Sequence, residues 1–261
     1  YLWYPSKEHP SDEPEGADIH ITVTKPLSVA SNGVLQKVTD LKNKWHTWHW
    51  KTNYNINPYN INFTVGNFEI VERIIPSLEK PLNTQFFVLS ENREGADKLL
   101  DHAETYIDFF TRSFGQYPWL KEKLGIVNTP YLGMEHQTII AYGNDYKYND
   151  KGYDFLLFHE LAHEWWGNYL SVSDWADFWI HEGFAIYSEA LFVEEKYGLN
   201  EYNNFFKKNL LKKIPLNRPV VLDRNSTMKQ ILGLDPYYKG AYVLHMLRYV
   251  VGDDYFFKII D

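Results

Sequence analysis

The sequence predicts an α+β fold in which strands come first and helices follow. Up to about residue 68, apolar residues alternate with polar ones, the period of two that marks half-buried strands. From Glu94 onward they recur every three to four residues, the period of a helix with one buried face. Helix-ending residues close these later runs, with Gly115 and Pro118 after the first and Gly198 after another. Strands then helices, without regular alternation, argue for a small antiparallel β domain followed by an α+β domain. The division is placed at 68/69, giving residues 1–68 and 69–261.

In chain order, "DIHITVTKPL" sets Ile19, Ile21 and Val23 against polar neighbours, and Asn32–Val34 is a turn signal. "KWHTWHWKT" and "NINFTVGNFEIV" continue the β-branched and aromatic character of strands. Leu99, Ala103, Tyr106, Ile107 and Phe110 then share one helical face. "LGIVNTP" and "HQTIIAYG" read as strands, and Tyr153–Gly167 as one continuous helix. A second helix runs from near Asp177 to about Lys196, with further helices at roughly 200–213, 226–232 and 236–251.

Composition excludes several classes. The 261 residues are enough for one large domain or two small ones. Net charge is −8 with no basic stripe, which argues against nucleic acid as a partner. There is no cysteine, so no disulfide, thiolate metal site or thiol nucleophile. No apolar run approaches the ~18 residues of a membrane span; "AYVLHMLRYVVG" is interrupted by His245 and Arg248. The chain opens without an initiator methionine or signal pattern and stops within a helical segment. It is read as a piece of a longer protein whose compartment stays open, cytoplasmic or periplasmic.

The chemistry is concentrated in "FHELAHEWWG", where His159-Glu160-Leu161-Ala162-His163 forms H-E-x-x-H. On a helix, residues four apart lie about 40° apart around the axis and about 6 Å along it, so two imidazoles can face one ion. Glu160 is one step round, near enough to hold a water at that ion. By chance this pattern arises in roughly a few chains of such composition per hundred. Two histidines also leave a catalytic zinc one protein ligand short. Glu182 in "DFWIHEGFAIYSE" is the candidate third ligand if the chain turns back near Gly167 and Asp174. Otherwise it is an acid near a helix start.

H-E-x-x-H followed by Glu182 within "HEG", together with "WYPSKEHPSDEPE", "FGQYPW", "HEWWGN", "DFWIHEGFA" and "PYYKG" in that order, resembles the gluzincin aminopeptidases. That family includes aminopeptidase N and leukotriene hydrolase, and the resemblance extends over nearly the whole chain. It implies a thermolysin-like zinc metallopeptidase catalytic domain, truncated at its C-terminal end and preceded by the tail of an N-terminal β domain. The implied activity is removal of N-terminal residues from peptides by a metal-activated water, with one Zn2+ per chain. The implied partners are a peptide with a free N-terminus and the N- and C-terminal regions of the same protein.

The resemblance makes His159, His163 and Glu182 the zinc ligands, Glu160 the general base, and Tyr237 the hydroxyl that supports the oxyanion. Glu135, in Gly133-Met134-Glu135-His136, is implied to hold the substrate α-amino group, with its neighbours lining the substrate site. The chain departs from the family's G-x-M-E-N at Leu132, in place of the first glycine, and at His136, in place of asparagine. Imidazole presents its donor and acceptor in a different geometry from an amide. Glu189, two helical turns after Glu182, either orients a ligand histidine or is an exposed glutamate. Asp177 is a weaker candidate for that support or a helix cap. "WHTWHW" is read as aromatic packing, because His46 and His49 fall on opposite faces of a strand. "RPVVLD" at Arg218 is read as a loop facing the cleft. Asn62 and Asn225 fit the glycosylation sequon, which matters only in a secreted protein. The alternatives are a zinc endopeptidase or other zinc hydrolase on the same scaffold, or a non-catalytic peptide-binding fragment.

Overall fold

A computed structural model describes residues 3–7, 9–210, 219–221, 223–231 and 235–260. The N-terminal part forms β1 (Asp18–Thr24), β2 (Ser28–Ser31), β3 (Val34–Asp40), β4 (Trp45–Lys51) and β5 (Phe63–Gly66). These pair as an antiparallel sheet β1-β4-β3 and a two-stranded antiparallel ribbon β2-β5. The "NGV" turn joins β2 to β3, with Gly33 at φ 74°, where a glycine is favoured. Alternation decides the faces of β4: His46, Trp48 and Trp50 turn inward, while Trp45, Thr47, His49 and Lys51 turn out. The two histidines therefore point to opposite sides, as their spacing requires.

A five-stranded mixed sheet follows, ordered β6-β7-β8-β10-β9. Its strands are β6 (Phe68–Ile75), β7 (Leu82–Leu89), β8 (Leu124–Asn128), β9 (Gly133–Met134) and β10 (Ile140–Tyr142). The long helix α1 (Arg93–Phe114) connects β7 to β8, which run parallel. "NINFTVGNFEIV" thus supplies two strands, β5 and β6, belonging to different sheets. Period two divides β7 and β8 between two cores. Phe86, Val88 and Ile126 pack under the helices, whereas Phe87 and Val127 join Ile19, Val29 and Trp50 of the N-terminal part. The sheet is therefore a wall shared by both halves.

The helical layer accounts for much of the aromatic load. Phe158 meets Phe110, Phe192 and Tyr106 at ring-centroid distances of 4.8, 5.0 and 5.1 Å, beneath α1. The helices after β10 are α2 (Phe155–Ala162), α3 (Trp179–Tyr197), α4 (Leu199–Phe205), α5 (Met228–Ile231), α6 (Gly240–Val251) and α7 (Asp253–Ile260). Gly115 and Gly198 close α1 and α3 at φ 86° and 85°, as their sequence positions predict. The ends of the helices expected at 213 and 232, and Arg218, lie outside the described residues.

One expected element differs. The continuous helix expected over Tyr153–Gly167 is α2 alone, which begins after the Asp154 cap and stops at His163. Beyond it the backbone widens: Asn168, Tyr169 and Leu170 donate to the carbonyls of His163, Glu164 and Trp165, each five residues back. Gly167, at φ 139°, takes the chain away. The apolar pattern continues through Trp165 and Trp166 because these rings are buried, although not on a helix.

Candidate active site

α2 is short and firmly started. Asp154 is fully buried, and its carboxylate accepts from the amides of Leu156 and Leu157, each at 3.0 Å. One turn on, His159 and His163 place their Nε2 atoms 3.3 Å apart. The chain then reverses through the widened turn and returns as α3, which brings Glu182 Oε2 to 3.2 Å from His159 Nε2 and 3.4 Å from His163 Nε2. Despite this proximity, Glu182 Oε2 is buried without an aligned hydrogen bond.

A tetrahedral zinc with bonds of ~2.0–2.1 Å has ligand–ligand edges of about 3.3–3.4 Å. Two imidazoles and a carboxylate are also a donor set that zinc accepts. The three residues therefore fit the ion. His163 Nδ1 donates to the Trp166 carbonyl at 3.0 Å, which leaves the Nε2 lone pair facing the other two ligand atoms. The chain must pass close to this ring: a side chain at Gly167 would start 3.3 Å from His163 Nδ1 and 3.4 Å from the His181 ring.

Electrostatics reinforce the cluster. Although burial favours the neutral acid, His163 and His159 hold the Glu182 carboxyl well below the usual range. Without a cation, Glu182 and Glu135 raise the His163 imidazole against burial to about 10, so a proton holds the place on Nε2 that a bound metal would take. Burial pushes the Glu160 carboxyl up to about 7. Glu160 and Glu135 offer oxygens within 4.8 Å of each other and of a His163 nitrogen. A side chain at Gly133 would start 2.5 Å from Glu160 Oε1, so only glycine leaves the general-base candidate its place.

These residues open into a cleft of about 580 Å³, also lined by Gly133, Met134, Tyr237 and Glu189. The Tyr237 ring lies nearly parallel to His159 at 6.4 Å. Burial, with the nearby charge of Glu182, raises its phenol and keeps it protonated as a donor. Glu189 accepts a hydrogen bond from Tyr153 at 2.6 Å and faces the cleft. His136 is placed differently from its neighbours. It lines an adjoining cavity of about 220 Å³ with Tyr59, Met134 and Trp175, and its Nδ1 has no partner among the described residues. Asp177 pairs with Arg224 at 2.8 Å, while Asp174 supplies the cap at the Ala176 amide.

Tyr59 carries no local sequence signal, whereas Trp166, Gly167 and Asn168 lie within "HEWWGN", where the sequence assigns a part only to Gly167, in the reversal of the chain. Asn168 Nδ2 donates to the Glu135 carbonyl at 2.9 Å, and the Tyr59 phenol donates to Glu135 Oε1 at 3.2 Å. A second cluster, Asp18, His20 and His49, lies on the outer face of β1 and β4. There His49 bonds Asp18 at 2.6 Å and stacks on His20 at 3.9 Å.

The family described as Peptidase family M1 domain matches residues 99–261, well over half of the chain. The chain belongs to peptidase family M1. The M1 chain is 27% identical over 228 residues to endoplasmic reticulum aminopeptidase 1 of Rattus norvegicus, covering 80% of this chain and 24% of that protein. It is 29% identical over 258 residues to leucine aminopeptidase 2 of Vanderwaltozyma polyspora, covering 88% and 36%. The chain thus spans about a quarter to a third of the length of these relatives.

Among solved structures, the M1 chain is similar to the M1 zinc metallopeptidase from Deinococcus radiodurans. The TM-score is 0.77 and the identity 24%, with 99% of this chain and 57% of that one covered. Aminopeptidase A of Legionella pneumophila, in complex with aspartic acid, gives a TM-score of 0.82 at 17% identity, with 96% and 30% covered. Both likenesses are of fold. The gluzincin resemblance and the α+β architecture expected from the sequence are borne out. No described helix is long and apolar enough to cross a membrane.

Proposed function

We propose that the protein carrying this M1 chain is a zinc-dependent aminopeptidase that removes N-terminal residues from peptides. In this reading residues 1–68 end an N-terminal β domain and residues 69–261 belong to the catalytic domain. The supporting observation is the convergence of three ligand atoms at tetrahedral edge lengths beside two further buried carboxylates, Glu160 and Glu135. His159, His163 and Glu182 would hold one zinc per chain. When bound, zinc would supply Lewis acidity, polarising the scissile carbonyl and making a water acidic.

The chain's own residues then have separable tasks. Glu160, buried beside the three ligand atoms, takes the proton of the attacking water and returns it to the leaving amine. Tyr237 donates to the oxygen that becomes negative only in the transition state, which raises turnover rather than affinity. Glu135 pairs with the substrate ammonium, a charge that only a chain terminus places beside the scissile bond.

Metal analysis and an aminoacyl-anilide panel test this on the complete protein and its Glu160→Gln variant. Zinc near one per chain is expected in both, with turnover lower by about 10²–10⁴-fold in the variant. A metal-free protein, or equal turnover in the two, would remove the mechanism. A parent that cleaves N-blocked peptides as fast as free ones would favour the endopeptidase reading, and a Glu135→Ala variant that keeps a preference for free N-termini would remove the role of Glu135.

A further inference from the structure

The turn Pro58–Asn60 belongs to the N-terminal β-rich part, yet it reaches the wall of the cleft that Glu135 occupies. It is held in place from behind: Asn57 accepts from the Tyr59 amide and donates through Nδ2 to the Pro10 carbonyl at 3.0 Å. From this anchored turn, two consecutive side chains grip Glu135. Tyr59 donates its phenol to Oε1 at 3.2 Å. Asn60 Nδ2 donates at 2.7 Å to Asn168 Oδ1, and Asn168 Nδ2 donates at 2.9 Å to the Glu135 backbone carbonyl. One residue therefore orients the carboxylate and the next, through Asn168, fixes the main chain that bears it.

Glu135 is only 5% exposed, so its carboxylate needs partners to remain in place. A bond from Tyr59 to one oxygen leaves the other free to accept from an ammonium. Burial, followed by the charge of Glu135, raises the Tyr59 phenol, so it stays a donor throughout the working range of pH. Packing alone does not explain the hydroxyl. The ring meets Trp175 edge-on at 5.4 Å, a contact that phenylalanine would make equally well.

We propose that Tyr59 is a positioning residue that fixes the Glu135 carboxylate for the substrate ammonium, so that the β-rich part sets discrimination for free N-termini. The proposal rests on the reading of Glu135 given above.

Tyr59→Phe keeps the ring and removes the bond. In the complete zinc-loaded protein, KM for leucine anilide should rise about tenfold, as for loss of one hydrogen bond to a charged group, with kcat within about twofold. A second measurement separates position from packing: inhibition by phenylalanine is compared with inhibition by 3-phenylpropanoate, which lacks the amine. The preference of the parent for phenylalanine should fall about tenfold in Tyr59→Phe. Because this is a ratio, a smaller folded fraction affects both inhibitors alike and does not mimic the effect. A parent that prefers phenylalanine and a variant that keeps the full preference overturn the role of Tyr59 alone. A parent with no preference overturns the reading of Glu135, and this proposal with it.

Discussion

His136 shows how one side chain can couple the cleft to stability. It stands where the family pattern has asparagine, is 9% exposed, and leaves Nδ1 without a partner among the described residues. Burial therefore lowers its imidazole from the ordinary 6.5 to about 3. The direction of the pH effect follows. Between pH 6.5 and 3 the unfolded chain binds a proton on this residue that the folded chain refuses, so stability falls as pH falls through that window. From pH 6.5 to 5 this contribution is about 2 kcal/mol, at about 1.4 kcal/mol per pH unit. His136→Asn, an uncharged residue of smaller volume, should remove it. Urea unfolding at pH 7 and pH 5 is expected to show the parent losing about 2 kcal/mol more than the variant. Equal losses would mean that His136 is protonated in the folded protein.

At the level of elements, the site depends on where α3 and α6 cross. A side chain added at Gly183 would start 2.9 Å from the Gly240 backbone, and one at Gly240 would meet Gly183 Cα at 2.9 Å. Gly183 follows Glu182, and Gly240 follows the Asp235–Lys239 turn that carries Tyr237. Gly183→Ala should thus push the metal ligand and the oxyanion donor apart. The expected result is about 1–3 kcal/mol of lost stability, from overpacking, and a lower kcat for the anilide. A melting curve and a turnover number measured together check this; unchanged values in both would show that the helices can separate freely. The same crossing explains what could be read from sequence. His159 and His163 were legible because one helical period relates them. Glu182 was legible as a candidate because a second helix could return to the first. Tyr59 and Glu135 are 76 residues apart and meet between elements, so no local period announces the pair. The early end of α2 was hidden for the opposite reason: Trp165 and Trp166 are buried, and their apolar run imitates more helix.

For the whole molecule, the question is what keeps the β-rich part in register with the cleft, since Tyr59 comes from one and Glu135 from the other. Apolar contact between Trp50, Val29, Phe87 and Val127 supplies area but little direction. Direction comes from Lys123, which is 2% exposed and donates through Nζ to the carbonyls of Ser31 and Gly33 at 2.8 and 2.7 Å. The ammonium also lies 4.8 Å from the Trp50 ring centroid. Burial lowers Lys123 to about 7, and the neighbouring charges of Glu122 and Glu164 oppose that fall. Glu122 ties the same seam from its other side, accepting from the Asn53 amide and the Thr138 hydroxyl. Lys123→Met preserves the stem but orphans two buried carbonyls, at a cost of about 2–4 kcal/mol. The loss should be local before it is global, because only this seam has lost its direction. Amide exchange in Ser28–Ser31 and Val34–Asp40 should accelerate first, and KM for the anilide should rise with kcat retained as Tyr59 drifts from Glu135. Acceleration confined to α1–α3, or a lower kcat at constant KM, would place the anchor of the two halves elsewhere than at Lys123.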